Sequence, residues 1–117
     1  GSCIGIVVTD APVDGASCAR LARRVGLGLG RAGSVAHHGS GEIFLGFGLG
    51  LRLDRDQRPD VVPLTGRAVD PLFTAVVEAA EEAVLNSMFT APTTVGRDGN
   101  TSESACSPEL LALLEAR

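Results

Sequence analysis

The sequence predicts an α/β domain in which helices cover one face of a sheet. Two short, nearly continuous apolar runs, 3–9 and 42–49, have the β-branched and aromatic content of buried strands. A stretch of helical periodicity lies between them and another follows, so the order is strand, helix, strand, helix. The composition, 44% hydrophobic and 21% charged, is that of a folded chain, and 117 residues suffice for one domain, 1–117, but not two.

Cys3-Ile4-Gly5-Ile6-Val7-Val8-Thr9 reads as a strand buried on both faces, ended by Asp10-Ala11-Pro12. From about Ala16 to Arg31 the pattern turns helical, with Leu21, Val25 and Leu29 on one stripe and Arg20, Arg23 and Arg24 off it. Gly26, Gly28 and Gly30 weaken that helix and make sense only if it packs very closely on a neighbour. A glycine-rich loop, 33–41, leads into the second strand, Glu42-Ile43-Phe44-Leu45-Gly46-Phe47-Gly48-Leu49. Residues 51–67, charged and holding Pro59 and Pro63, read as a surface excursion with at most a short strand. Asp70-Pro71 predicts a helix start, an N-cap followed by proline, for a helix running to about Phe89. Its inward positions are Phe73, Val76, Val77, Ala80, Val84 and Met88, and Glu78, Glu81 and Glu82 face out. Residues 91–106 read as loop with a turn at Asp98-Gly99-Asn100, and Ser107-Pro108 starts a last short helix. Both strands look buried on two sides in a chain too short to cover them, so a partner must supply the remainder.

Composition also excludes. A net charge of −4 offers no basic excess for phosphates, which argues against nucleic acid, and Arg20, Arg23 and Arg24 read as the wet face of a helix. No apolar run is long enough to span a bilayer, and no signal-peptide pattern opens the chain, so the cytoplasm is the expected compartment. Cys3, Cys18 and Cys106 are odd in number and not at metal-ligand spacing, so they read as reduced thiols, with no metal or cofactor implied. With four Phe and no Trp or Tyr, the core must be aliphatic.

Two places invite chemistry: Ser2, beside Gly1 at the edge of the first strand, and Ser40-Gly41-Glu42, at the mouth of the second. An amide hydrolase with an N-terminal nucleophile needs a hydroxyl or thiol, a base titrating near neutrality and donors for an oxyanion. A terminal α-amine, with a reference pKa of about 7.7–8.0, can be that base. Such an amine exists at Ser2 only once the Gly1–Ser2 bond is cut. The blander readings stand beside this one. A serine near a chain start carries no chemistry by itself, and Ser-Gly-Glu before a strand is commonly a turn with a solvated carboxylate. His37-His38 in a glycine loop reads as solvent-exposed rather than as base or metal ligand, and Gly26, Gly28 and Gly30 are not placed as a phosphate loop. Cys3 competes as nucleophile if Gly-Ser is a cloning remnant, yet reads more simply as a small apolar strand residue.

The start Gly-Ser-Cys-Ile-Gly-Ile-Val-Val-Thr-Asp-Ala-Pro resembles the β-subunit start of the L-aminopeptidase/D-esterase family. The likeness continues through residues 18–24, 39–45, 77–86 and 94–101, weakest over the excursion at 51–67. The family holds β-peptidyl aminopeptidases, a nylon-oligomer hydrolase and a pantetheine hydrolase. The resemblance implies an αββα sandwich of the aminopeptidase/ornithine acetyltransferase type, completed by a separate large subunit. It implies a precursor that cleaves itself between Gly1 and Ser2, leaving Ser2 as the nucleophile. Ser40 and Glu42 fall on positions that lie beside the nucleophile and, for Glu42, the substrate amine. Oligomers of αβ units acting on a small amide or peptide are implied as well. The start without methionine then reads as a fragment of a longer precursor. Two alternatives stay open: a non-catalytic α/β partner subunit, and an acyl transferase of the ornithine acetyltransferase kind.

Overall fold

A computed structural model describes residues 1–116. The chain divides into two compact units, Gly1–Glu81 and the residues from Glu82 onward.

The first unit is built on a β-α-β crossover. Strands β1 (Cys3–Thr9) and β2 (Glu42–Gly48) pair in parallel, with Cys3 opposite Glu42 and Thr9 opposite Gly48. Helix α1 (Gly15–Arg31) joins them, as a parallel pair requires. Asp14 caps α1, its carboxylate accepting from the Ser17 N–H at 2.7 Å. That hydrogen bond, foremost among the causes, holds the Asp14 carboxyl below the ordinary value of 3.8.

The stripe read from the sequence is the stripe that α1 buries: Leu21, Val25 and Leu29, joined by Cys18 and Ala22. A 3₁₀ turn, Gly66–Val69, leads into helix α2 (Asp70–Thr90), so Asp70 is already helical rather than the expected N-cap. Val13, Cys18, Leu21 and Val69 form the core, with Val7, Leu72, Phe73 and Val76 packed against it. Leu21 and Val69 are 1% and 0% exposed, and each such side chain contributes about 1.5–3 kcal/mol by leaving water.

Glycine sets the layer spacing at two places. A Cβ on Gly46 of β2 would collide with the Cys18 carbonyl of α1, and one on Gly28 would lie 2.5 Å from the Ala80 Cβ and 2.6 Å from the Val77 carbonyl of α2. The expected close packing therefore holds at Gly28. It does not extend to Gly30, whose Cβ would meet open space. Around Phe73, the Arg24 and Arg20 guanidinium carbons stand 4.1 and 4.9 Å from the ring centroid. Their charge is thus partly spent on an aromatic face. Glu81, expected on the outer face, is half-buried because Arg31 of α1 meets it at 2.7 Å.

The strands alternate strictly. Cys3, Gly5, Val7 and Thr9, with Glu42, Phe44, Gly46 and Gly48, lie half-buried on the helix side. Ile4, Ile6, Val8, Ile43, Leu45 and Phe47 point the other way and remain 46–68% exposed. The expectation of strands buried on both faces is met within this chain on one face only. The excursion closes at an isolated bridge, Leu53 with Pro59, around a turn in which Asp54 accepts from the Asp56 and Arg58 N–H groups.

The second unit holds the end of α2 and a miniature hairpin, β3 (Thr94–Val95) with β4 (Thr101–Ser102), inside what the sequence suggested was loop. Its turn puts Asp98 and Gly99 at φ 59° and 77°. Helix α3 (Pro108–Glu115) follows, capped by Ser107, which accepts from the Leu110 N–H as the sequence anticipated. Met88, expected to face inward, is exposed.

Candidate active site

The candidate residues Ser2, Ser40 and Glu42 meet at the N-terminal ends of β1 and β2. Parallel pairing in the register Cys3–Glu42 brings residues 1–2 alongside residues 40–41. The Cys3 N–H donates to the Gly41 carbonyl at 3.0 Å, which carries the ladder to the strand start. One step earlier, the Gly41 N–H donates to Ser2 Oγ at 3.1 Å. The Ser40 hydroxyl lies within hydrogen-bond contact of two acceptors, the Gly1 carbonyl and Glu42 Oε1. It carries one proton and donates to one of them at a time. Ser40 is itself fixed by its own N–H, which donates to the His37 carbonyl at 2.7 Å.

Ser2, Ser40 and Glu42 therefore come together as a single hydrogen-bonded group, with the Gly1–Ser2 peptide inside it. Ser2 is exposed, and Ser40 and Glu42 are half-buried. Chemically, this is a hydroxyl beside an amide carbonyl, with a second hydroxyl whose single proton is shared between that carbonyl and a carboxylate. Nothing in the local sequence assigns the Gly41 N–H a role. Only the register with Ser2 gives it a role.

The other candidates lie apart. His37 and His38 are exposed on the loop before Ser40, and their imidazoles take no part in the hydrogen bonds that join Ser2, Ser40 and Glu42. Cys3 is half-buried on the helix side of β1. Cys18 is buried, and burial first, with Asp14 second, pushes its thiol upward, away from the reactive thiolate. All three cysteines are free. Among the described residues no group of His, Cys, Asp and Glu has the arrangement of a metal site, and no helix is long and apolar enough to cross a membrane.

The sequence profile of peptidase family S58 matches residues 1–102. The chain belongs to peptidase family S58. Among its curated relatives, the β-peptidyl aminopeptidase BapA of Sphingosinicella microcystinivorans is 34% identical over 98% of this chain and 30% of its own length. Two solved structures superpose closely on this chain. The PH0078 protein of Pyrococcus horikoshii OT3 superposes with a TM-score of 0.81 at 36% identity, over 95% of this chain and 32% of that one. The L-aminopeptidase D-Ala-esterase/amidase of Ochrobactrum anthropi, described as a variant among the Ntn hydrolase fold, gives 0.79 at 29% identity, over 95% and 32%. The chain thus spans about a third of the length of the proteins it matches.

Proposed function

We propose that this chain is the nucleophile-bearing small subunit of an autoprocessed amide hydrolase, an aminopeptidase or amidase acting through an acyl-enzyme on Ser2. The observation that carries the reading is the packing of the Gly1 carbonyl and Ser2 Oγ into one group with Ser40 and Glu42. Family membership supports it.

Self-cleavage begins with attack of Ser2 Oγ on the Gly1 carbonyl carbon. The Gly1–Ser2 C–N bond breaks as the proton released from Ser2 Oγ passes to the Ser2 nitrogen, leaving an ester that water hydrolyses. Ser40 is held at the centre by Glu42 and turns its single proton from that carboxylate to the carbonyl oxygen as charge builds there. The freed α-amine, with an ordinary pKa of about 7.7–8.0, then takes the Ser2 hydroxyl proton during turnover and delivers it to the departing amine. Water releases the acid from the Ser2 ester. Glu42 would also pair with a substrate ammonium.

The substrate is a small amide or peptide; β- or D-amino acid derivatives and pantetheine-type amides all suit the mechanism. The rest of the protein, a large subunit from the same precursor, would cover the apolar face of β1 and β2 and complete an αββα sandwich. The length of the relatives supports such a partner, and homo-oligomers of αβ units are proposed with it. The three free thiols favour a reducing compartment, the cytoplasm.

The test is the intact mass and N-terminal sequence of the small subunit after expression of the full-length protein, with Ser2→Ala beside it. A subunit starting at Ser2, and a Ser2→Ala protein neither cleaved nor active, are expected. Normal turnover by Ser2→Ala would sink the mechanism.

A further inference from the structure

Gly41 poses a question that neither backbone nor packing answers. The left-handed glycines of this chain are Gly33, Gly66 and Gly99, so the conformation at 41 does not demand glycine. Nor does crowding. A Cβ built there has one neighbour within 4 Å among the described residues, Ser2 Oγ at 3.6 Å, an ordinary van der Waals contact. Contrast Gly46, where a Cβ meets the Cys18 backbone, and Gly28, where it meets α2. An alanine at 41 fits the fold and costs it nothing visible.

What that methyl group would take is room at the nucleophile. For attack, the substrate carbonyl carbon must come within about 3–3.5 Å of the oxygen, and its substituents come with it. The position of the absent Cβ, 3.6 Å from Oγ, lies at the edge of that shell. Gly41 cannot shift aside, because its backbone is fixed at both ends. Its N–H holds Ser2 Oγ at 3.1 Å, and its carbonyl accepts the Cys3 N–H at 3.0 Å.

We infer that the missing side chain at Gly41 makes the acyl subsite: it leaves the space beside Ser2 Oγ for substituents on the carbon next to the scissile carbonyl. This rests on Ser2 being the nucleophile and adds which acyl groups reach it. The same N–H that positions Oγ meets the charge that grows on it as the proton leaves, so one residue both aims the nucleophile and keeps its approach clear.

The experiment is Gly41→Ala in the full-length protein, with Gly39→Ala as the control on the same loop, where a Cβ meets nothing within 4 Å. Assembly, thermal midpoint and kcat/KM are measured on amino-acyl p-nitroanilides unbranched and branched next to the carbonyl. Gly41→Ala is expected to assemble and melt like the parent, yet lose about 10²-fold on branched acyl groups and less than about tenfold on unbranched ones. Gly39→Ala should track the parent. An equal loss on every acyl group, or no loss, would overturn the inference while leaving Ser2 as nucleophile. A Gly41→Ala protein that fails to assemble would overturn it too, by showing that protein rather than substrate fills the space. A parent inert on all the anilides would bring down the hydrolase reading itself.

Discussion

The Ser40 hydroxyl contacts the carbonyl of Gly1, a residue 39 positions away in the sequence. That carbonyl belongs to the bond proposed to break, so the contact is a donor aimed where negative charge would develop. Removing one such donor typically costs about 10²–10³-fold in rate. Ser40→Ala is expected to slow self-cleavage of the full-length protein by that order, read as the half-time for the precursor band to disappear. Processing at the parental rate would remove Ser40 from the reaction.

Glu42 reaches the centre only through Ser40 in this structure, and it is half-buried at the first residue of β2. Glu42→Gln keeps the shape and removes the charge. Turnover of an aminoacyl anilide should fall about 10²-fold, the usual scale for a positioned acid or base, with the thermal midpoint nearly unchanged. Parental kinetics in this variant would take Glu42 out of the site.

Ile6 stands 60% exposed on the open face of the sheet, in register with Leu45. If another layer covers that face in the whole protein, Ile6→Ala should behave there as a core truncation and cost about 2–5 kcal/mol. Denaturant unfolding of the full-length variant measures this. A change of a few tenths of a kcal/mol would mean that the face stays in water.

Gly28 and Gly30 of α1 should answer alanine differently. Gly28→Ala drives a methyl into the Val77 carbonyl and Ala80, and overpacking of this kind costs about 1–3 kcal/mol. Gly30→Ala meets nothing and should gain about 0.5–1 kcal/mol from the lost backbone freedom of the unfolded chain. Paired urea titrations would show opposite shifts in midpoint; shifts of the same sign would contradict the packing described.

Asp14 gives a pH dependence of known sign. Its folded value lies below the ordinary 3.8, so the ionised form is the one that folding favours. The stabilisation is complete above the unfolded value and is lost as the pH falls through the folded one. Asp14→Asn keeps the cap without the charge, so it should flatten the acid limb of stability below about pH 3.8 while Asp14→Ala weakens α1 at every pH. An unchanged acid limb in Asp14→Asn would assign that limb to other carboxylates.

Much of this was written in local pattern. Leu21, Val25 and Leu29 announced the buried stripe of α1 because side chains three and four apart share a helix face. Ser107-Pro108 announced α3, since a cap and a proline act within one turn. The start of α2 was misplaced because the 3₁₀ turn before it absorbs the cap at Asp70, and the β3–β4 hairpin was missed because two-residue strands carry no periodicity. Ser2, Ser40 and Glu42 could be picked out as candidates from residue type and family likeness.

The sequence by itself determined the order of elements, the face that α1 buries and the choice of candidate residues, all of them properties read along the chain. Tertiary structure decided the rest. Only the parallel register of β1 and β2 sets Ser40 against Gly1 and the Gly41 N–H against Ser2 Oγ, because ladder hydrogen bonds fix which residues of distant strands stand side by side. Likewise, no local pattern told that β1 and β2 are covered on one face and bare on the other: an apolar run records that a surface must leave water, not which element covers it.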